Sequence, residues 1–256
     1  MLIDDSSRLE NLTDIVCATI LTGVYDVNRS ELLAEDDFGG IEVWYDSIVK
    51  LGLRGIVFHN TFSEKTVEKY QNENISFVAV EYDKSLNANV FRYLVYEAFI
   101  QKYEAEIANI FVTDISDVVV VQNPFIQPLF LNNPDKLFCG DENETLSNEW
   151  MMAHSTHLRN LVSGFSEYEQ LNLSQTLLNC GIIGGSIKTM KILMESIAHI
   201  HRTYTITNTS AYTLDMGAFN YVARTRFGQN LLHGKPINTQ FKKYESQRTD
   251  CWFRHK

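Results

Sequence analysis

The chain has 256 residues and a formal net charge of −10, with 32 acidic against 22 basic residues. Hydrophobic residues make up 45% and charged residues 21%, which suits a globular protein with a sizeable core in one large domain or two small ones. The missing basic stripe argues against nucleic-acid binding. No apolar run approaches the roughly 20 residues of a membrane span, and peripheral membrane contact stays open.

Ile15 to Leu21 (IVCATIL) is apolar nearly throughout and predicts a buried strand, broken by Thr22-Gly23. Phe38 to Leu51 spaces Ile41, Trp44, Tyr45, Ile48 and Val49 as one helix face, and Gly52 stands where a C-terminal cap belongs. Arg54 to His59 (RGIVFH) and Ile75 to Tyr82 (ISFVAVEY) predict two more strands. A long helix follows over Asn87 to Glu106, then a fourth strand, Asn109 to Thr113 (NIFVT). Strand and helix in alternation indicate an α/β fold with a mainly parallel central sheet flanked by helices, whose ligands bind at strand carboxyl ends.

The second half is less regular. Lys136 to Glu142 (KLFCGDE) and Asn179 to Gly185 (NCGIIGG) predict strands, and Ser186 caps a helix reaching Tyr204. Thr213 to Arg224 predicts another helix, and Asp250 to His255 (DCWFRH) a last strand. No Pro-, Gly- or Ser-rich linker divides the chain, so one domain is expected, with a first half to about residue 125 and a second from about 126. The abrupt end at Lys256 suggests one domain of a longer protein.

Cys17, Cys139, Cys180 and Cys251 lack metal-finger spacing and read as reduced buried thiols, favouring a cytoplasmic setting. The acidic, polar start MLIDDSSRLENLTD is not a signal peptide.

The segment Phe111 to Phe125, FVTDISDVVVVQNPF, sets Asp114 and Asp117 between two apolar runs. Turn chemistry is the plain explanation of such a pair. Their place at a strand end favours a hard divalent cation, Mg²⁺ or Mn²⁺, since uncompensated buried carboxylates are costly.

This segment resembles the metal-binding stretch of glycosyltransferases of the GT-A fold, where a hydrophobic strand delivers a DxD motif. Here the spacing is DxxD, with Ser116 where the second acid of a strict motif would stand. LNCGIIGG resembles the N-A-G segment of glycogenin-like and galactinol-synthase-like members, which implies that Asn179, Gly184 and Gly185 line a sugar pocket. TLDMGAFN resembles the helix start carrying a functional acid. That implies Asp215 as the base toward an acceptor hydroxyl, and inversion, with Asp141 or Glu142 in reserve. A histidine usually completes the metal site in this fold. His255 is preferred for it, and His233, in a compressed form of the family's HxxGxxKP, is assigned to the substrate pocket.

The resemblance further implies Tyr25 and Asp26 at the nucleoside, Arg92 near the phosphates or acids, and Lys235 and Lys256 as electrostatic support. Glu142, Asn148, Glu149 and Trp150 form a polar and aromatic patch that suits an acceptor sugar, though a plain solvated loop is the simpler reading. The implied activity is metal-dependent transfer of a sugar from a nucleotide-sugar, UDP-linked by resemblance, to a glycan acceptor that is free or lipid-linked. The likeness is to bacterial or viral enzymes of surface-polysaccharide synthesis. A sugar-nucleotide nucleotidyltransferase is the first alternative, disfavoured because ATILTGVYD has only Gly23 and the first basic residue after it is Arg29. A non-catalytic glycan-binding domain of the same fold is the second.

Overall fold

The first strand of the chain, β1 (Asp14–Ile20), is buried on both faces because its side chains alternate between two cores. Ile15 and Cys17 enter one, Val16 and Ala18 the other. The computed structural model describes residues 9–26, 31–205 and 214–256, the side chains of Asp26, Glu31 and Thr205 excepted.

After β1, a two-stranded ribbon pairs β2 (Tyr25–Asp26) with β3 (Glu31–Leu32). Helix α1 (Glu42–Lys50) buries Trp44 and Ile48, and Gly52 follows it in the left-handed conformation at φ 61°. β4 (Arg54–His59), α2 (Glu64–Tyr70) and β5 (Ile75–Ala79) come next. Helix α3 (Ala88–Tyr103) is capped by Asn87, and its apolar side faces the first core. Then come β6 (Asn109–Thr113), the short β7 (Val118–Val120) and α4 (Pro128–Leu131).

β8 (Leu137–Thr145) leads into three short helices, α5 (Glu149–His154), α6 (Thr156–Leu161) and α7 (Phe165–Asn172). β9 (Thr176–Ser186) is buried from Leu177 to Gly185, and Ser186 caps α8 (Ile187–Ile200). The chain continues through α9 (Asp215–Val222), β10 (Leu231–His233) and β11 (Phe253–His255).

Seven strands form one sheet in the order β10-β8-β9-β6-β1-β4-β5. β9 alone runs antiparallel to its two neighbours, β6 and β8. The α/β architecture with a mostly parallel sheet is therefore as expected. Strands from both halves of the chain share this sheet, with α3, α8 and α9 against one face and α1 against the other. β7 and β11 stand apart as a two-stranded antiparallel ladder. All four cysteines are buried free thiols. Among the described residues, no helix is long and apolar enough to cross a membrane.

Candidate metal centre

In the sheet, β1 connects outward to β4 and β5, whereas β6 lies on the other side of β1. The order reverses there, and in open α/β sheets the crevice beyond the strand ends at such a point is the usual ligand site. Asp114 is the first residue beyond β6. The indole N–H of Trp44 donates to Thr113 Oγ1 at 2.8 Å and fixes the strand end. Asp114 N–H then donates to the Gly181 carbonyl at 2.8 Å, extending the β6–β9 ladder by one residue.

Ile115 turns into the second core, 6% exposed, and returns the chain so that Asp117 lies beside Asp114. β7 starts immediately after and pairs Val118 with His255. Lys256 N–H donates to the Asp117 carbonyl at 3.1 Å. From the other side, Thr239 Oγ1 accepts from His255 N–H at 2.9 Å and donates to its carbonyl at 3.3 Å. A small ladder thus carries the end of the chain to the acidic turn.

Asp114, Asp117 and His255 each offer one ligand atom, all within 4.8 Å of one another. His255 Nε2 is 3.7 Å from Asp114 Oδ2 and 3.7 Å from Asp117 Oδ2. Adjacent oxygen or nitrogen ligands on an octahedral ion of Mg²⁺ type stand about 3 Å apart, so a small contraction suffices.

Three further observations fit a cation. The His255 side chain is 1% exposed, and among the described residues neither ring nitrogen has a hydrogen-bond partner, an arrangement that costs free energy unless something else binds the ring. A Cβ on Gly181 would lie 2.4 Å from His255 Cε1 and 2.6 Å from Asp114 Oδ2, so the cradle exists only because residue 181 is glycine. The donors, two carboxylates and an imidazole, are of the kind that holds hard and intermediate divalent ions.

Arg92, from α3, reaches the back of this site. Its Nη1 donates to Asp114 Oδ1, and its Nη2 donates to Asp215 Oδ2 at 3.2 Å and to Cys180 Sγ at 3.1 Å. The Arg92 side chain is 11% and that of Asp215 5% exposed. Burial by itself would pull the Arg92 pKa down, but Asp114 and the neighbouring anionic groups hold it well above its ordinary value. Burial likewise pushes the Cys180 thiol well up, as does Asp215, so it stays protonated. Arg92 faces Asp114 and Asp215, and with Asp117 beside Asp114 the three acids carry a formal excess of two negative charges over the guanidinium, which one divalent cation would balance.

The other expected residues fall into separate roles. Asn179 Oδ1 accepts from Gly181 N–H at 2.7 Å and its Nδ2 donates to Glu142 Oε1 at 2.8 Å. Its amide therefore braces the cradle, in place of the expected contact with sugar hydroxyls. Burial raises the pKa of Glu142, against the opposing effect of Asn179. Gly184 and Gly185 do not open onto a pocket. A Cβ at Gly184 would sit 2.2 Å from the buried Phe111 ring, and one at Gly185 would sit 2.9 Å from the Lys136 carbonyl. Both glycines serve sheet packing.

His233 Nδ1 bonds Asp141 Oδ2 at 3.0 Å, outside the three-ligand group. Lys235 pairs with Asp250 at 2.6 Å, and both are more than half exposed. The Lys256 side chain is exposed. Tyr25 is 59% exposed on β2, and the Asp26 side chain lies outside the described residues, as does Thr213. Asn148 caps α5, and Trp150, 44% exposed, stacks on His154 at 3.8 Å.

Sequence reasoning missed Gly181, Cys180 and Thr239. Gly181 had a signal, since a strand glycine marks a close approach, but three glycines competed for that meaning. No family model matches the chain, and a search of curated proteins likewise found no match.

Proposed function

We propose that the chain is a metal-dependent glycosyltransferase that moves a sugar from a nucleotide-sugar to a glycan acceptor hydroxyl. The observation that carries this reading is the Asp114–Asp117–His255 group at the carboxyl edge of the sheet, where the strand order reverses. It is joined by the resemblance of FVTDISDVVVVQNPF and LNCGIIGG to GT-A enzymes. When bound, Mn²⁺ or Mg²⁺ would offset the charge that develops on a diphosphate leaving group.

The chain's own residues do the rest. Asp114, Asp117 and His255 hold the cation, and Gly181 leaves room for it. The exposed ring of Tyr25 is free to stack on a base, for which UDP is the expected carrier. Asp215 is tied to Arg92 and 5% exposed, so it is not carried forward as the acceptor's base. On this reading the enzyme works in the cytoplasm in surface-polysaccharide synthesis.

The test is thermal unfolding with UDP, with and without Mn²⁺, for the wild type and Asp114→Ala. A ligand at 100 times its dissociation constant adds about 2.7 kcal/mol. The expected result is stabilisation that requires UDP and Mn²⁺ together and disappears in the variant. Stabilisation by a sugar that persists in a chelator would instead support a non-catalytic glycan-binding domain. No shift with UDP or any other nucleotide would remove the transferase reading.

A further inference from the structure

Arg92 spans two carboxylates that come from different elements, one at the end of β6 and one in the first turn of α9. A guanidinium is a planar fork whose donors lie in fixed directions, so two partners fix its orientation where one would not. Through Nη1 it occupies Asp114 Oδ1, which leaves Asp114 Oδ2 as the oxygen near His255 Nε2. Asp215 Oδ2 holds the second nitrogen, and the Cys180 sulfur lies 3.5 Å from that same carboxylate oxygen.

We infer that Asp215 is a positioning residue for the metal site, acting through Arg92: it holds the guanidinium back so that Asp114 presents one oxygen to the cation. This rests on the metal reading and not on the identity of the substrate. With Asp215 neutral, Arg92 keeps Asp114 as its one carboxylate partner within this cluster and can turn both nitrogens toward it. The guanidinium then competes with the cation for Asp114. The excess negative charge of the cluster also falls from two to one. Both effects weaken metal binding, although Asp215 is not one of the three ligands.

The experiment is titration of the whole chain with Mn²⁺ alone, followed by calorimetry, for the wild type, Asp215→Asn, Arg92→Lys and the double variant. Asp215→Asn keeps the side-chain shape, and Arg92→Lys keeps the charge but not the fork. Each single variant is expected to bind Mn²⁺ about tenfold more weakly or worse. The double variant is expected to be little weaker than either single one, because the two residues act as one unit. Unfolding without metal serves as the fold control for each variant, and Arg92→Lys carries the test should Asp215→Asn fail to fold. Wild-type affinity in Asp215→Asn or in Arg92→Lys, or losses that add in full, would overturn the inference while leaving the metal site standing. Failure of the wild type to bind Mn²⁺ would overturn the metal reading and this inference with it.

Discussion

Gly181 and Gly184 lie three residues apart on β9, and a methyl group at each meets a different kind of neighbour. At Gly181 it meets His255 Cε1, Asp114 Oδ2 and, at 3.0 Å, Asn179 Oδ1, which are side chains of the candidate metal centre. At Gly184 it meets the ring of Phe111, which is itself packed among Phe125, Phe130 and Phe253. The Asp114 carboxylate is partly exposed and can swing aside, but the His255 ring, 1% exposed, is as enclosed as that of Phe111. Gly181→Ala is therefore expected to cut Mn²⁺ affinity by at least about tenfold, and to cost about 1–3 kcal/mol of metal-free stability as well. Gly184→Ala is expected to cost about 1–3 kcal/mol or more through overpacking. Calorimetry and urea unfolding read the two quantities separately, and unchanged Mn²⁺ affinity in Gly181→Ala, or an equal loss of it in Gly184→Ala, would refute the distinction. The acids themselves were legible in the sequence, because a strand-end carboxylate pair between apolar runs is conspicuous. The roles of the glycines were not, since the strand register decides which of the three faces Asp114.

At the scale of elements, the ladder of β7 and β11 is what brings His255 to Asp117. Its strands are three residues each, too short to be stable alone, so outside contacts must hold them. Ser47 Oγ accepts from Val120 N–H at 3.1 Å on one side, and Thr239 Oγ1 bonds both backbone groups of His255 on the other. Thr239→Val keeps the shape and removes the hydroxyl, leaving a buried backbone N–H without its partner. A loss of about 1–3 kcal/mol is expected in urea unfolding, together with weaker Mn²⁺ binding as His255 loosens. Unchanged Mn²⁺ affinity would mean that β7 alone positions the histidine. This pairing joins segments far apart in the chain, so no local pattern announces it. The long strands and α3 were legible from apolar runs and periodicity. Polar α2 was not, for it buries no residue and its clearest signal is the Ser63 cap. The direction of β9 was also hidden, because a strand buried on both faces reads alike either way.

For the molecule as a whole, acidification sets two effects against each other. Protonating carboxylates relieves the self-repulsion of a chain at −10, which favours the fold. Exposed charges are, however, screened beyond about 8 Å at physiological salt, so that gain is small. Opposing it are two buried histidines. His59, at the end of β4, accepts from Phe62 N–H at 3.2 Å through Nδ1 and lies against the rings of Phe62 and Phe77; burial lowers its pKa to about 4. His201 is buried against Tyr93, and burial, with Arg92 nearby, lowers its pKa to about 3. In the unfolded chain both titrate near the ordinary 6.5. Between that value and the folded ones the unfolded state binds more protons, so stability falls as pH falls, by up to about 1.4 kcal/mol per pH unit for each group. The loss from His59 levels off below about 4 and that from His201 below about 3. Against a total of about 5–15 kcal/mol, this outweighs the screened repulsion. Urea unfolding at pH 7, 6 and 5 is expected to show declining stability. In His59→Asn, whose amide oxygen can accept the same N–H without titrating, the decline should be roughly halved. Stability unchanged between pH 7 and 5 in the wild type would mean that both rings take up protons in the fold as readily as in the open chain.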